Sequence, residues 1–325
     1  MPDSPYLSDR YRATSRKTLA AIATNLSGVL ATSRSVIDLA VMTLAAGGHL
    51  LLEDVPGTGK TTLARALARS LSAQVSRIQF TSDMLPSDIT GVTVFDQSAH
   101  EFTFFRGPVF AEIVLADEIN RANPKAQAAL LEAMDERRVT VDGTTYELPR
   151  PFIVIATQNP VELEGTYPLP EAQLDRFMTR TSLGYPSPQA EARMLVSPSG
   201  RDPLANLKPV CTAGDMRAII QTAAHIHVSQ AVAAYAVQLL TATRQSPQIR
   251  LGASPRAGLA LLAMSRVRAL MKGQDAVFPG DVRAMAVPVL SHRLVLADGD
   301  MGVSAEDRAR LLESLLNTVP APRGA

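Results

Sequence analysis

The segment from Leu51 to Thr62 has the residue types and spacing of a phosphate-binding loop. An apolar strand leads into a glycine-rich turn, and a helix is predicted to begin at Lys60. In such loops backbone N–H groups surround the β-phosphate, the lysine reaches the β- and γ-phosphates, and the next hydroxyl coordinates Mg²⁺. We therefore expect Thr61 to be a magnesium ligand and a nucleoside triphosphate to contact Val55, Pro56, Gly57, Thr58, Gly59, Lys60, Thr61 and Thr62.

Asp54 departs from the usual pattern of this loop, which has glycine at that position. Because Asp54 lies where the strand ends and the turn begins, its Cβ need not touch phosphate. We expect its carboxylate to face away from the nucleotide. The alternative for the whole segment is an ordinary turn before an amphipathic helix, which fits the local motif but leaves the other motifs of the chain unexplained.

Two carboxylates follow the predicted buried strand from Ile113 to Ala116. In an open parallel sheet ligands bind at the carboxyl ends of the strands, so Asp117 and Glu118 are expected beside the phosphates. Asp117 is expected to hold Mg²⁺ through water, and Glu118 to act as the general base for an attacking water. The alternative is that the two acids simply begin an exposed loop.

Asn159 follows a third apolar strand, from Phe152 to Ala156, and is expected at the same sheet edge. Its amide is suited to positioning a water molecule or contacting the γ-phosphate. Since an Asn-Pro pair commonly forms a turn, a purely structural role for Asn159 is the alternative.

Arg256 is predicted in the first turn of a helix that Ser254 caps and Pro255 begins. The positive end of the helix dipole disfavours a cation there. We therefore expect Arg256 to contact an anion, such as phosphate held in the same pocket as the three strand ends. The alternative is a solvated arginine.

The order of these motifs resembles that of the AAA+ ATPases and, more closely, that of the MoxR family within them. The resemblance covers the chain from about Ser33 onward and rests on DVPGTGKT (54–61), DEINRA (117–122), LEAMDE (131–136), ATQNP (156–160), PEAQLDRF (170–177) and SPR (254–256). It implies ATP and Mg²⁺ as ligands, with Lys60 and Thr61 as Walker A and Asp117 and Glu118 as Walker B. It also implies Asn159 as sensor 1 and Arg256 as sensor 2.

The resemblance further implies that Arg176 is an arginine finger that reaches the nucleotide of a neighbouring subunit. Three nearby arginines compete for this role: Arg121, Arg137 and Arg180. A finger supplied in trans requires a homo-oligomer, which the family forms as a hexameric ring.

The resemblance implies an ATP hydrolase that remodels or matures a protein client, with a partner that carries a von Willebrand factor A domain. Two alternatives belong to other classes: a nucleic-acid-dependent AAA+ motor and a nucleotide-gated regulatory scaffold. The net charge of +1 disfavours the motor, because protein surfaces that bind nucleic acid are strongly basic. The presence of Glu118 and Asn159, which are suited to hydrolysis, disfavours a scaffold that only binds nucleotide.

Composition is that of a globular chain of about two domains: 325 residues, 46% hydrophobic and 19% charged. The single cysteine, Cys211, excludes an internal disulfide and fits a reducing cytosol. The N-terminus lacks the apolar core of a signal peptide, and the longest apolar-leaning stretch, Leu39 to Leu52, is too short to span a bilayer. We therefore expect a cytoplasmic protein without membrane insertion.

Strand and helix patterns alternate from His49 to Leu183 and are followed by helical patterns alone. This alternation predicts an α/β fold, a P-loop core with a parallel sheet between helices, followed by an all-helical C-terminal lid. The proline-rich segment 185–188 marks the boundary, so the predicted domains are 1–186, including two N-terminal helices, and 187–325.

Two hairpins, predicted over 92–105 and 139–148, interrupt the alternation. By resemblance, both inserts face the ring pore or a partner. Phe102 and Phe104 share one strand face and are expected to pack internally, whereas Phe105 points the other way and is the candidate for the pore. Ordinary packing is the alternative for Phe105.

Overall fold

The computed structural model describes residues 8–54, 57–159, 165–196, 202–297 and 304–322. Within these ranges the strands are, in chain order, β1 (Leu50–Glu53), β2 (Val75–Gln79), β3 (Gly91–Asp96), β4 (Glu101–Arg106), β5 (Ile113–Asp117), β6 (Arg138–Val141), β7 (Thr144–Glu147), β8 (Ile153–Gln158), β9 (Thr179–Thr181), β10 (Ile249–Leu251) and β11 (Val295–Leu296).

The helices in the described ranges are α1 (Asp9–Ser27), α2 (Arg34–Ala45), α3 (Lys60–Ser70), α4 (Pro86–Thr90), α5 (Pro124–Glu136), α6 (Glu171–Leu174), α7 (Pro188–Val196), α8 (Ala213–Ala224), α9 (Gln230–Gln245), α10 (Pro255–Lys272), α11 (Pro279–Leu290) and α12 (Ala305–Asn317). Two 3₁₀ turns span Ile119–Arg121 and Ser291–Arg293. Serine side chains cap several of these helices; the Ser254 hydroxyl, for example, accepts from Ala257 N at the start of α10.

The main sheet contains five parallel strands in the order β2-β5-β8-β1-β9. Its central strands, β5 and β8, are apolar and buried, as parallel strands covered on both faces must be. Since all five strands run the same way, the sheet has a carboxyl edge, where the strands end at Glu53, Gln79, Asp117, Gln158 and Thr181, and an amino edge, where they begin.

Two apolar cores cover the faces of this sheet. One lies between the sheet and α5, with Val114, Leu131 and Val154 buried in it. The other joins α1, α2 and α3 to the C-terminal helices in one continuous cluster, in which Leu19 and Leu261 are fully buried. Each fully buried side chain of this kind stabilises the fold by ~1.5–3 kcal/mol. The N-terminal helices therefore help to hold the C-terminal helical region, the lid, in place.

The two inserts are antiparallel hairpins, β3–β4 and β6–β7. Phe104 packs as expected, with its ring stacked on Tyr146 at 4.2 Å between centroids. The prediction for Phe102 was wrong, since 74% of its surface is exposed. Phe102 lies two residues nearer the hairpin turn, where its ring meets Phe95 rather than the second hairpin. Phe105 is 58% exposed, and its assignment to a pore stays a prediction.

The expected α/β core and helical C-terminal region are confirmed. The lid also contains a short antiparallel pair, β10 with β11, where the sequence predicted helices alone. These strands are three and two residues long, too short to give a recognisable pattern. Division of the chain at residue 186 stays a prediction. No helix in the described part of the chain is long and apolar enough to cross a bilayer.

Candidate functional site

The phosphate-binding loop leaves β1 at the carboxyl edge and ends at the first residue of α3, Lys60. Gly57 and Gly59 have φ of +86° and +94°, a left-handed conformation that side chains other than glycine rarely adopt. Lys60 Nζ donates to the Asp54 carbonyl at 3.0 Å, so the ammonium lies over the loop. Val55 and Pro56, also expected to contact nucleotide, lie outside the described residues.

The Asp54 carboxylate turns away from the loop and is buried. It accepts hydrogen bonds from Ser182 Oγ at 2.7 Å, Leu183 N at 2.6 Å and Gly184 N at 3.1 Å. These donors lie just after β9, where the chain leaves the main sheet. The residue that replaces glycine thus joins the phosphate-binding loop to the segment that leads to the lid.

Asp117 ends β5 and is 8% exposed. Thr157 Oγ1 donates to its Oδ1 at 2.6 Å, and Arg77 donates to its Oδ2 at 2.6 Å. Arg77 comes from β2, the neighbouring strand. The carboxylate is therefore oriented by one buried hydroxyl and neutralised by one guanidinium.

Glu118 follows at φ 58° and ψ 49°, a left-handed conformation that is costly for a residue with a side chain. Its backbone N–H donates to Thr157 Oγ1 at 2.9 Å, which holds this conformation in place. The carboxylate accepts from Gln79 Nε2 at 3.0 Å and lies 3.3 Å from Arg121 Nη1. Backbone strain of this kind is common at catalytic positions.

The carboxyl edge brings together five of the predicted residues: Lys60, Thr61, Asp117, Glu118 and Asn159. Asn159 directly follows β8. In the sheet β8 lies between β5, which ends at Asp117, and β1, which leads into the loop of Lys60. Thr61 is in the first turn of α3, beside Lys60. The hydroxyl of Thr61 and the carboxylate of Asp117 are hard oxygen donors, the type that Mg²⁺ prefers, so the residues present fit that ion.

The two predicted arginines lie together elsewhere, on one carboxylate of α5. Arg176 Nε donates to Asp135 Oδ2, and Arg256 Nη2 donates to Asp135 Oδ1. Partial burial acts to raise the pKa of Asp135, but the hydrogen bonds and charges of the two arginines outweigh it and hold the pKa below its usual range.

This arginine cluster lies at the amino edge. The Met134 carbonyl, next to Asp135, accepts from His49 Nε2 at 3.3 Å, and His49 directly precedes β1. Since β1 has four residues and a strand rises ~3.3 Å per residue, the strand and its flanking turns separate the two edges by about 15 Å. Arg256 is thus paired with Asp135 at the amino edge and not with the loop of Lys60, and the expectation that it contacts phosphate in the pocket of its own chain stays a prediction. Long-range packing of the lid, and not the local helix-start pattern, decides where Arg256 lies.

The other candidate arginines differ in position. Arg121 lies beside Glu118 at the carboxyl edge, and Arg180, with a side chain 10% exposed, is paired with Glu53 inside the sheet at 3.1 Å. Arg137 donates to the Gly47 carbonyl at 3.1 Å and is exposed at the amino edge. A cleft of about 310 Å³ at this edge is lined by His49, Asp135, Arg137, Arg176, Arg256 and Arg293 among others.

His49 supports the cluster from beneath. It is buried, accepts from Val154 N at Nδ1 (2.9 Å), and donates from Nε2 to Met134 O. Burial, together with the charge of Arg137, lowers the pKa of His49 to about 4. The ring is therefore neutral at physiological pH and joins β1, β8 and the end of α5.

Sequence reasoning did not find Arg77, Gln79, Thr157 or Asp135. One signal was present for the first two, because polar side chains two apart in a strand share a face, and β2 pairs with the strand that ends in Asp117. Asp135 carried no such signal, since its two partners lie 41 and 121 residues away along the chain.

Comparison with known proteins agrees with this architecture. A family model described as "ATPase family associated with various cellular activities (AAA)" matches residues 49–179, and the AAA lid domain matches residues 241–312. The chain is 44% identical over 303 residues to the uncharacterised protein YeaC of Bacillus subtilis strain 168, covering 93% of this chain and 94% of that protein.

The chain is also 44% identical over 270 residues to Chaperone MoxR1 of Mycobacterium tuberculosis, covering 80% of this chain and 71% of that protein. A crystal structure from Cytophaga hutchinsonii, provisionally named an ATPase, matches with a TM-score of 0.86 and 34% identity, over 96% of this chain and 97% of that one. With the AAA core, the AAA lid and these relatives, the chain belongs to the MoxR family of AAA+ ATPases.

Proposed function

We propose that this protein hydrolyses ATP at the interfaces between identical subunits of a hexameric ring. One observation carries the proposal: phosphate-binding loop and acids lie at the carboxyl edge, whereas the arginines Arg176 and Arg256 lie at the amino edge, about 15 Å away by strand geometry. A single subunit therefore has the parts of a hydrolytic site, while Arg176 and Arg256, which are suited to stabilising a transferring phosphoryl group, lie away from it.

At the carboxyl edge each residue has a distinct role in this proposal. The left-handed turn at Gly57 and Gly59 directs backbone N–H groups to the phosphates, and Lys60 moves from the Asp54 carbonyl to the β- and γ-phosphate oxygens. The Glu118 carboxylate accepts the proton of the attacking water, which the Asn159 amide holds in line.

Thr61 and Asp117 are the residues that would hold Mg²⁺, Asp117 through water. When bound, this ion would neutralise charge that develops on the phosphate oxygens. Thr157 keeps the Asp117 carboxylate and the Glu118 backbone in register through one hydroxyl. The Arg77 guanidinium, which donates to Asp117 Oδ2 in the structure, would move aside and so leave this oxygen free to accept from a water molecule of the ion.

At the amino edge, Arg176 and Arg256 act on the nucleotide of the adjacent subunit. In the structure both side chains are paired with the carboxylate of Asp135, which holds them near one another. In a closed ring with head-to-tail contacts, the amino-edge surface of one subunit meets the carboxyl edge of the next. We assign Arg256 to the same trans role as Arg176 because the two share one carboxylate.

The work done by hydrolysis is chaperone-like remodelling or maturation of a protein client, with a partner that carries a von Willebrand factor A domain. The relative MoxR1 is named a chaperone, which supports this assignment. The exposed aromatic residues of the β3–β4 hairpin, Phe102 and Phe105, are suited to contact with a protein client.

Mixing two inactive variants tests the shared site. Glu118→Gln removes the base but leaves the arginines, and Arg176→Ala removes one arginine but leaves the base. Each is expected to hydrolyse ATP at under a hundredth of the wild-type rate. At equal amounts in a randomly assembled ring, about one interface in four combines an intact base with intact arginines, so turnover should recover to about a quarter of wild type.

Each variant mixed with wild-type protein serves as the assembly control, and phosphate release per subunit is the measurement. Turnover that stays at the level of the separate variants, although both enter mixed rings, would contradict a site shared between subunits. Turnover per subunit that is independent of protein concentration across assembly would contradict it as well.

A further inference from the structure

The segment that carries Arg176 is held by two consecutive residues of the lid. Arg293 Nη2 donates to the carbonyl of Asp175 at 3.1 Å and to that of Phe177 at 2.7 Å. His292 Nε2 donates to the same Phe177 carbonyl at 2.9 Å. The backbone on both sides of Arg176 is thus bonded to the turn that follows α11.

The Asp175 side chain adds a second set of contacts with the lid. Arg293 Nε lies 2.8 Å from Asp175 Oδ1, and Ser254 Oγ donates to Asp175 Oδ2 at 3.1 Å. Ser254 is also the cap of α10, two residues before Arg256. Asp175 therefore connects Arg176, the next residue in the chain, to the start of the helix that carries Arg256.

Arg293 is an unusually costly residue to bury, which argues that its contacts are specific. It is 6% exposed, and its Nη1 donates to the Val289 carbonyl at 2.7 Å. Burial lowers the pKa of Arg293 to about 10, with Asp175 opposing the shift, so the guanidinium stays charged at neutral pH. A planar fork with several donors fixes the directions of its acceptors more tightly than a lysine ammonium does.

We propose that Arg293 is a positioning residue for catalysis in the neighbouring subunit: by joining the lid to Asp175 and Phe177, it sets Arg176 and Arg256 in one fixed geometry. This inference rests on the proposed shared site. Movement of the lid then moves both arginines together, because Arg256 belongs to the lid and Arg176 is bonded to it through Arg293 and Asp175. Arg293 itself touches no nucleotide.

The test is complementation with Arg293→Met in the full-length chain. Misplacement of a catalytic group by about 1 Å costs up to ~100-fold in rate, so kcat for ATP should fall ~10–100-fold. The KM and the Kd for a fluorescent ATP analogue should stay within twofold, because the phosphate-binding loop lies at the other edge. In equal mixture with Glu118→Gln, turnover should recover to about a quarter of wild type.

A second variant and a control keep the test decisive. Asp175→Asn removes the charge partner of Arg293 while keeping the side-chain shape, and it should give the same pattern with a smaller loss; it decides the matter if Arg293→Met does not fold. Arg283→Met, which removes a lid arginine whose Nη1 donates to the Leu316 carbonyl, should keep wild-type kcat.

Three results would overturn the proposal. Wild-type kcat in folded Arg293→Met and Asp175→Asn would show that neither positions the arginines. Failure of their mixtures with Glu118→Gln to recover, while the Arg176→Ala mixture does recover, would show a defect within the variant subunit's own site. Failure of all mixtures would overturn the shared site and this inference together.

Discussion

The carboxyl and amino edges of the main sheet are built in different ways. At the carboxyl edge Lys60, Asp117, Glu118 and Asn159 take their places because each ends or follows a strand of one parallel sheet. At the amino edge Arg176 and Arg256 take theirs through Asp135, which lies 41 and 121 residues away along the chain, and through the packing of the lid. The first arrangement follows from local patterns, whereas the second depends on the tertiary structure.

The difference also separates binding from turnover. A subunit carries its own phosphate-binding loop, so nucleotide affinity should depend on the carboxyl edge alone. In the proposed ring its arginines act on the nucleotide of another molecule, so their loss should affect the rate of hydrolysis alone. Substitutions at either edge can break or sharpen this contrast.

The largest expected effect contrasts Lys60→Ala with Arg176→Ala. Arg176→Ala should lower kcat by ~10³-fold or more, as is usual for loss of an arginine that acts in trans on a phosphoryl group. ATP affinity of the dilute subunit should not change. Lys60→Ala should instead abolish binding of a fluorescent ATP analogue measured by equilibrium titration. Equal loss of affinity in both variants would contradict the separation of the edges.

The next effect concerns the Asp54 anchor, by which we mean the hydrogen bonds from Ser182, Leu183 and Gly184 to the Asp54 carboxylate. Asp54→Asn places an amide N–H where the carboxylate now accepts from Ser182 and Leu183, and bonds of this charged type are worth ~1.5–3 kcal/mol. We expect the free energy of unfolding to fall by about 3 kcal/mol, measured by urea denaturation. The surface variant Asp38→Asn, whose partner is Arg34, should lose under ~1 kcal/mol. Equal stability of the two variants would show that the anchor contributes nothing.

The smallest effect is a pH dependence at the amino edge. The pKa of His49 is lowered to about 4, so between pH 6.5 and 4 the unfolded chain binds a proton that the folded chain does not. Stability contributed by neutral His49 is complete above that window and is lost as the pH falls through it. From pH 7 to pH 5 the wild type should lose about 2 kcal/mol more than His49→Gln.

Urea denaturation at the two pH values measures this difference. His100→Gln, at an exposed position in the turn of the β3–β4 hairpin, should retain the wild-type pH dependence. An identical dependence in His49→Gln and wild type would mean that His49 is not held buried and neutral in the folded protein.

The same contrast explains which features the sequence could reveal. Runs such as Ile113–Asp117 indicate buried parallel strands, and topology then places Asp117, Glu118 and Asn159 at one edge. The direction of the Asp54 carboxylate could be predicted in this way. Its hydrogen-bond partners could not, because these residues lie 128 to 130 positions further along the chain.

Arg256 shows why the arrangement of the amino edge could not be predicted from the sequence. Its place in a helix start was predicted correctly from Ser254 and Pro255. Which edge of the sheet that helix start faces depends on the core shared by α1 and α10, which buries Leu19 with Leu261. No local pattern encodes this orientation, since it arises from apolar packing that is not directional.

The Asp54 anchor gives the proposed ring a sense of direction. Closure of the loop on a triphosphate would pull on Ser182, Leu183 and Gly184, and so on the stretch of chain by which the lid is attached. The lid in turn carries Arg256, which in the proposed ring acts on the nucleotide of the adjoining molecule. Nucleotide binding to one subunit would then affect the neighbour on one side and not the neighbour on the other. Sequential hydrolysis around a ring requires this asymmetry.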